Sequence, residues 1–187
     1  MKLTPLGIEG AWLAESPVWG DERGFFREWF KSEDVKAATG RDFGIEQANV
    51  SLSSAGTLRG IHYSIAPRGQ AKWITCVSGS IQDVIVDIRP DSKTFGQWID
   101  VELKGDSGQA MFITQGLGHS FLALEDDTAV AYLVSTPFSP ADEFEINPLD
   151  ESIGIAWRMQ QSALRISEKD KKAPSLNSRL TQNQLPT

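Results

Sequence analysis

Between Ile45 and Ser135 apolar and polar residues alternate in short runs, and glycine, aspartate or serine separates one run from the next. Alternation with a period of two is typical of β-strands that bury one face. The predicted strands are Glu46–Leu52, Thr57–Tyr63, Lys72–Ser78, Ser80–Ile88, Gln97–Leu103, Ala110–Thr114, His119–Leu124 and Thr128–Ser135. Many short strands at this spacing predict an all-β sandwich, jelly roll or barrel.

Other elements are predicted on the N-terminal flank of this region. Lys31–Thr39 is predicted to form a short helix that Ser32 caps and Gly40 ends. Gly10–Val18 and Phe25–Phe30 are predicted as further strands. A chain with many strands has sheet edges that must be protected from unwanted pairing. We therefore expect the N-terminal strands to join the sheet of a second copy, which gives a homodimer.

The length of the chain predicts its domain organisation. A chain of 187 residues, of which 40% are hydrophobic, is long enough to bury the core of one domain. We assign residues 1–175 to a single domain and residues 176–187 to a polar C-terminal tail.

The net charge, hydropathy and cysteine content of the chain limit its expected binding partners and cellular compartment. The net charge of −7 argues against a general surface for nucleic acid or anionic membranes. No apolar run approaches the roughly 20 residues that span a bilayer, and the first residues lack the apolar core of a signal peptide. The single Cys76 fits a reducing compartment. We expect a cytoplasmic protein without nucleic-acid or membrane partners.

The two histidines of the chain, His62 and His119, both lie beside glycines in predicted strands. Histidine titrates near neutral pH and serves readily as a general base. Because side chains alternate along a strand, His62 is predicted to share a face with Leu58. Lys72 and Tyr132 are predicted on the apolar faces of their own strands. If these faces line one barrel interior, a base, an ammonium group and a phenol meet in a cavity.

Three such groups suit proton abstraction beside a carbonyl. The base removes a carbon-bound proton, the cation stabilises the enolate oxygen, and the phenol returns a proton to the opposite face. Each residue alone also has a structural explanation, as a core histidine, a snorkelling lysine or a core tyrosine. The argument therefore depends on the three residues together.

A series of short motifs runs from about Pro5 to about Pro174. The motifs are Asp21–Glu28, Gln47–Ser51, Leu58–Tyr63, Gln70–Lys72, Asp83–Arg89, Ser92–Gly96, Gly116–Phe121, Tyr132 and Ser167–Asp170. In this order and spacing the chain resembles the dTDP-4-dehydrorhamnose 3,5-epimerase family of nucleotide-sugar epimerases. The resemblance implies an all-β, cupin-like jelly roll with short flanking helices, and catalysis without a metal or another cofactor.

The resemblance also implies roles for the catalytic residues. His62 is expected to remove the C5 and C3 protons of a 4-keto sugar, with Asp170 as its orienting carboxylate. Lys72 is expected to stabilise the enolate at O4, and Tyr132 to return the proton, most clearly at C5. The implied substrate is dTDP-4-dehydro-6-deoxy-D-glucose, and the product is dTDP-4-dehydro-L-rhamnose.

A further set of residues matches family positions that bind the substrate. The set is Arg23, Phe26, Glu28, Gln47, Asn49, Arg59, His119, Phe138, Glu143 and Lys169. Phe138 stands where the family commonly has a tyrosine that stacks on thymine. The resemblance implies that the segment with Arg23 and Glu28 reaches the site from the partner subunit of a homodimer.

Three alternatives remain open at this point. A related enzyme can stop after epimerising C3 alone. A metal-dependent cupin usually needs a His-x-His pair, whereas Ser64 stands two residues after His62. A non-catalytic sugar-binding module can share the same barrel and has no need of a base, an acid and a cation together.

Overall fold

Two sheets, mainly antiparallel, dominate the structure, a computed structural model that describes residues 1–65 and 69–186. The strands are β1 (Lys2–Pro5), β2 (Ala11–Glu15), β3 (Val18–Asp21), β4 (Gly24–Arg27), β5 (Gln47–Ser53), β6 (Thr57–Ser64), β7 (Lys72–Ser78), β8 (Ser80–Asp87), β9 (Trp98–Lys104), β10 (Gln109–Ile113), β11 (Leu117–Ala123), β12 (Thr128–Val134), β13 (Glu143–Glu145) and β14 (Arg165–Ile166). The helices are α1 (Ser32–Thr39), a 3₁₀ turn (Gln161–Ala163), α2 (Glu168–Lys171) and α3 (Leu176–Thr181).

The strand order shows how the chain passes between the sheets. One sheet has the order β1-β2-β10-β7-β12-β5, and the other has the order β13-β6-β11-β8-β9, with β14 parallel to β6. Strands that are adjacent in sequence therefore often lie in different sheets, as in a jelly roll. The predicted all-β, cupin-like jelly-roll fold is confirmed. β3 and β4 form a separate hairpin.

Strand β8 is buried on both faces along its whole length, including its polar residues Gln82 and Asp83. On one face Ile81 and Ile85 pack between the sheets against residues of β7 and β10. On the other face Val84 and Val86 pack under segments that follow β13. The second sheet is thus sandwiched between the first sheet and the C-terminal third of the chain.

The C-terminal segment, predicted as a polar tail over residues 176–187, folds onto the domain over residues 176–186. Helix α3 begins after Ser175, whose side chain accepts a hydrogen bond from the Ser178 amide. Leu176 and Leu185 are 3% and 6% exposed in the same cluster as Val84. The polar Arg179 is buried as well, and residue 187 lies outside the described residues.

The eight strands predicted between residues 46 and 135 are present, with ends that differ by at most two residues. The predicted capping by Ser32 is wrong, because Lys31 is the N-cap of α1 and no side-chain hydrogen bond caps the helix. Gly40 ends α1 in the left-handed conformation, as predicted.

The predicted strand Gly10–Val18 is shorter in the structure, where it is β2. It pairs with β1 and β10 of its own chain, so its exchange with a neighbouring copy is not observed. The predicted strand Phe25–Phe30 becomes β4, which pairs only with β3. Within residues 1–65 and 69–186, no helix is long and apolar enough to cross a membrane.

Candidate active site

Two adjoining pockets between the sheets share His62, Lys72 and Tyr132. His62 comes from β6 of one sheet, whereas Lys72 on β7 and Tyr132 on β12 come from the other. The larger pocket, of about 310 Å³, is also lined by Gln47, Asn49, Gln70, Val134, Phe138, Glu143, Phe144 and Lys169. The smaller pocket, of about 160 Å³, is also lined by Ser51, Arg59, His119 and Phe121. The structure thus brings a base, an ammonium group and a phenol into one cavity.

A bulge in β6 decides which side chains reach the smaller pocket. His62 faces His119 and Arg59 faces Phe121, so two residues of β6 lie opposite one residue of β11 between these pairs. Arg59 and His62 therefore share a face although they are three residues apart. The prediction that His62 shares a face with Leu58 is wrong, because simple alternation does not continue across the bulge.

Glycine is required at the bulge. Gly60 has a φ of 109°, and a Cβ at this position would lie 2.5 Å from the carbonyl oxygen of His119. Only a residue without a side chain adopts this conformation so close to β11. The glycine before Ile61 and His62 is thus part of how the base is placed.

His62 is held by a buried carboxylate from a distant part of the chain. Its Nε2 lies 2.9 Å from Oδ1 of Asp170, whose side chain is 5% exposed. Burial raises the pKa of Asp170, but hydrogen bonds from His62, Ser167 and the Gly60 amide outweigh burial and leave that pKa below its ordinary value. An ionised Asp170 accepts the Nε2 proton, so Nδ1 of a neutral His62 is the free basic nitrogen.

Lys72 is buried, and its ammonium group donates to Oε1 of Gln70 at 2.7 Å. Burial lowers the pKa of Lys72, and the charge of Glu143 opposes this shift. The amide nitrogen of Gln70 donates to the carbonyl of Thr136 at 2.9 Å and lies 3.5 Å from Oε1 of Glu143. Sequence reasoning did not single out Gln70 as a site residue, although it lies two positions before Lys72, just ahead of β7.

Tyr132 lines both pockets together with His62, and its side chain is half-buried. Burial raises the pKa of its hydroxyl, and the positive charge of Arg59 partly opposes the rise. The phenol therefore keeps its proton near neutral pH and can donate it. Arg59 is held in turn by a hydrogen bond from its Nε to Oγ of Ser53 at 3.2 Å.

His119 also has a carboxylate partner. Its Nε2 lies 2.7 Å from Oδ1 of Asp83, which is fully buried on β8. Within the described part of the chain, Oδ2 of Asp83 has no hydrogen-bond partner. Sequence reasoning did not identify Asp83 as a site residue, because its pairing with His119 depends on the register of β8 and β11.

At the larger pocket, polar side chains hold one another in place. Nε2 of Gln47 donates to Oδ1 of Asn49 at 2.7 Å, and Oε1 of Gln47 accepts from the Phe138 amide at 3.0 Å. The Phe138 side chain is exposed. Lys169 pairs with Glu145 at 2.9 Å.

A protein-family model described as dTDP-4-dehydrorhamnose 3,5-epimerase matches residues 5–178. The chain belongs to this epimerase family. It is an enzyme of the isomerase class, and this favours catalysis over the non-catalytic sugar-binding module.

Several known proteins are similar to the epimerase over almost its whole length. It is 45% identical to a dTDP-4-dehydro-6-deoxyglucose 3-epimerase of Streptomyces bikiniensis, covering 98% of this chain and 93% of that protein. It is 43% identical to a dTDP-4-dehydrorhamnose 3,5-epimerase of Mycolicibacterium smegmatis, covering 100% and 92%. The solved structure of ChmJ, a 3'-monoepimerase from Streptomyces bikiniensis in complex with dTDP-quinovose, is similar with a TM-score of 0.92, 44% identity, and coverage of 98% and 92%.

Three expected site residues of the epimerase lie away from the pockets. Arg23 and Phe26 are on the β3–β4 hairpin and Glu28 follows it, and none of them lines either pocket. The Arg23 side chain is 84% exposed and pairs with Asp21. Phe26 is 65% exposed and stacks on Trp19, with ring centroids 5.8 Å apart. Within one copy, the hairpin presents these residues outward.

The side chains that could bind a metal ion are relevant to the alternative of a metal-dependent cupin. Among residues 1–65 and 69–186, no three His, Cys, Asp or Glu side chains are grouped so that they could hold a metal ion. Each histidine is instead paired with one carboxylate, Asp170 or Asp83.

Proposed function

We propose that the protein epimerises dTDP-4-dehydro-6-deoxy-D-glucose at C3 and C5 to give dTDP-4-dehydro-L-rhamnose. The observation that carries this proposal is the meeting of His62, Lys72 and Tyr132 in one cavity, with His62 bound to the buried Asp170. Membership of the epimerase family supports it, as does the dTDP-sugar bound to the related ChmJ structure.

The proposed reaction is a pair of proton exchanges next to the C4 ketone. Nδ1 of His62 takes the proton from the carbon, and the electron pair of the broken C–H bond forms an enolate on O4. The Lys72 ammonium stabilises this negative charge in a site where little water screens it. Tyr132 donates its proton to the opposite face of the carbon, which inverts the centre. His62 and Tyr132 then exchange protons with solvent and return to their starting states.

Binding of the nucleotide is proposed to involve both pockets, because Lys169 and Phe138 line the larger pocket and Arg59 lines the smaller one. Arg59 and Lys169 are the cations proposed to contact the diphosphate, which fits the preference of these side chains for phosphate oxygens. The exposed ring of Phe138 is proposed to stack on the thymine, since stacking needs a π-face and no hydroxyl. Gln47 and Asn49 supply amide donors and acceptors on the same wall.

A homodimer completes this proposal. β5 lies at the edge of its sheet, and Val50 and Leu52 on its outer face are 74% and 64% exposed. The hairpin exposes Trp19 and Phe26, at 51% and 65%. A second copy that covers these apolar patches would protect the edge strand and bring Arg23, Phe26 and Glu28 to the neighbouring pocket.

A second candidate is epimerisation at C3 alone. Two curated relatives at 45% and 44% identity are named 3-epimerases, while relatives at 43% and 42% are named 3,5-epimerases. Tyr132 favours the double reaction because a proton donor stands opposite the base. Identity at this level does not separate the two outcomes.

Incubation with dTDP-4-dehydro-6-deoxy-D-glucose in deuterated water, followed by proton NMR, tests the proposal. Deuterium at C3 and C5 is expected, and deuterium at C3 alone would support the second candidate. The absence of exchange at both carbons would contradict the function. As a control, His62→Asn should abolish exchange while it leaves dTDP affinity nearly unchanged.

A further inference from the structure

The C-terminal segment 176–186 lies behind a wall of the larger pocket. Leu185 packs in one cluster with Tyr63, which follows His62 on β6. The hydroxyl of Tyr63 donates to the carbonyl of Gln184 at 2.9 Å, and its ring stacks on the pocket-lining Phe144, with centroids 5.9 Å apart. The segment is therefore in direct contact with residues that shape the site.

One buried side chain of this segment, Arg179, connects it to β13. Its side chain is 9% exposed, and its Nε donates to the carbonyl of Glu145 at 2.9 Å. One terminal nitrogen donates to Oε1 of Gln184 at 2.5 Å, and the other lies 3.6 Å from Oε1 of Glu145. The guanidinium also lies over the ring of Phe144, 5.1 Å from its centroid. These contacts hold Arg179 in one orientation.

Glu145 is shared between two cations. Its Oε1 faces Arg179, and its Oε2 lies 2.9 Å from the ammonium group of Lys169. The Glu145 side chain is 16% exposed, so water screens its charge poorly. Lys169 lines the pocket and is 62% exposed. Glu145 thus competes with a bound ligand for the Lys169 ammonium group. Arg179 contacts Glu145 on the side away from the pocket and partly neutralises its charge.

We propose that Arg179 is a positioning residue for ligand binding: by sharing Glu145, it leaves the Lys169 ammonium available to the diphosphate of the nucleotide. Without Arg179, Lys169 is the cation within 4 Å of the partly buried Glu145 carboxylate that remains among residues 1–65 and 69–186, and it is held away from the ligand. The inference rests on the proposed function, in which Lys169 contacts the diphosphate. Residue 179 lies beyond residues 5–178, which the family model matches.

Calorimetric titration of the full chain with dTDP measures the effect. In Arg179→Met the dissociation constant should rise on the order of tenfold, while the rate at saturating substrate changes less than about threefold, because the His62–Asp170 pair does not contact Arg179. Lys172→Met is the matched control, since it removes one positive charge from a side chain that is 79% exposed. It should bind dTDP as the wild type does.

Substitution of Glu145 separates this role from a purely structural one. Glu145→Gln should tighten dTDP binding severalfold because it releases Lys169, and Arg179→Met/Glu145→Gln should recover most of the lost affinity. Arg179→Met should have little further effect in a Lys169→Met background.

Wild-type affinity in Arg179→Met, or unchanged affinity in Glu145→Gln, would overturn the inference. If Arg179→Met does not fold, the Glu145→Gln titration decides alone. Failure of the wild type to bind dTDP would instead contradict the proposed function.

Discussion

Nε2 of His62 and Oδ1 of Asp170 lie 2.9 Å apart although 108 residues separate them in the chain. The contact joins β6 to the short helix α2, in which the Ser167 side chain accepts a hydrogen bond from the Asp170 amide at 3.0 Å. The capping hydrogen bond with Ser167 positions Asp170, and the Asp170 carboxylate in turn positions the imidazole ring of His62. The His62–Asp170 pair, the proposed base, therefore forms only when the C-terminal part of the fold is in place.

The first prediction concerns this pair. Asp170→Asn retains the shape of the side chain but removes the negative charge that holds the imidazole ring of His62 in its orientation. We expect the rate of deuterium exchange to fall by about 10²- to 10⁴-fold. The dissociation constant for dTDP should stay within about twofold. Single-turnover exchange and calorimetric titration measure the two quantities.

Glu168→Gln is the control for this substitution. It removes one negative charge from the same helix, but Glu168 is 73% exposed and its ion pairs are with Lys171 and Lys172. Exchange at the wild-type rate is expected. An Asp170→Asn variant with a rate within tenfold of the wild type would show that the pair does not form the base.

The second prediction concerns alkaline pH. In the proposed reaction the ammonium form of Lys72 stabilises the enolate, and burial lowers the pKa of this group below its ordinary value of 10.5. The rate should therefore fall as pH rises through the lowered pKa. Tyr132 does not produce this loss, because burial raises its pKa above 10.0. The pH profile of kcat/KM for deuterium exchange measures the effect.

Lys72→Met distinguishes the source of the alkaline loss. The variant should be slower by about 10²- to 10³-fold, the usual effect of removing one group that stabilises a developing oxyanion. It should also lack the alkaline decline, because the titrating group is gone. A wild-type decline that begins only above pH 10.5 would contradict the assignment.

The regular parts of the fold follow from local sequence patterns. Most of the strands from β5 to β12 were predictable because apolar and polar residues alternate within them and glycine, aspartate or serine often separates one strand from the next. The convergence of Lys72 and Tyr132 was predictable as well, because β7 and β12 pair in regular register from Lys72 to Cys76 and the register shifts only beyond Val130. The alternation of side chains along a strand did not predict the face on which His62 lies, because the bulge near Gly60 depends on how β6 pairs with β11.

Contacts between segments that are distant in the chain could not be predicted from local sequence patterns. The burial of Asp83 beside His119 depends on the register of two strands that are 36 residues apart. The packing of residues 176–186 depends on two leucines within a polar segment. The outward position of Arg23 depends on a hairpin that is separate from the two large sheets. Such features require knowledge of which elements are neighbours in space.

The third prediction concerns stability at low pH. Asp87 is fully buried, and its side chain accepts hydrogen bonds from Arg89, Ser92 and Thr94. Burial raises the pKa of Asp87, but these hydrogen bonds outweigh burial and lower the pKa to about 2. The unfolded chain binds this proton at a higher pH, near 3.8. The stabilisation is therefore complete above pH 3.8 and is lost as pH falls towards about 2.

Asp87→Asn should lower the free energy of unfolding by about 3 kcal/mol at pH 7, because it leaves Arg89 without its charged partner. The difference between variant and wild type should shrink between pH 5 and pH 2. Urea unfolding at several pH values measures both quantities. A difference that stays constant over this range would show that Asp87 does not carry the acid sensitivity.

The fourth prediction concerns the free edge of the first sheet. Val50 projects from β5 away from the pocket, whose wall is formed by Asn49 and Ser51 on the other face of the strand. If a second copy covers this face, Val50→Asp buries an unpaired charge at the contact and should convert the dimer to a monomer. Exchange activity should fall with it, because Arg23 and Phe26 no longer reach the neighbouring pocket. Analytical ultracentrifugation and exchange rates at matched concentrations measure the two effects.

Val77→Asp is the matched control, because Val77 is an apolar residue that is 43% exposed near the end of β7. This variant should remain dimeric and active. A wild-type protein that sediments as a monomer at micromolar concentration would contradict the dimer. A dimeric Val50→Asp variant with full activity would place the contact elsewhere, because a buried aspartate without a partner costs more than such an edge contact can offset.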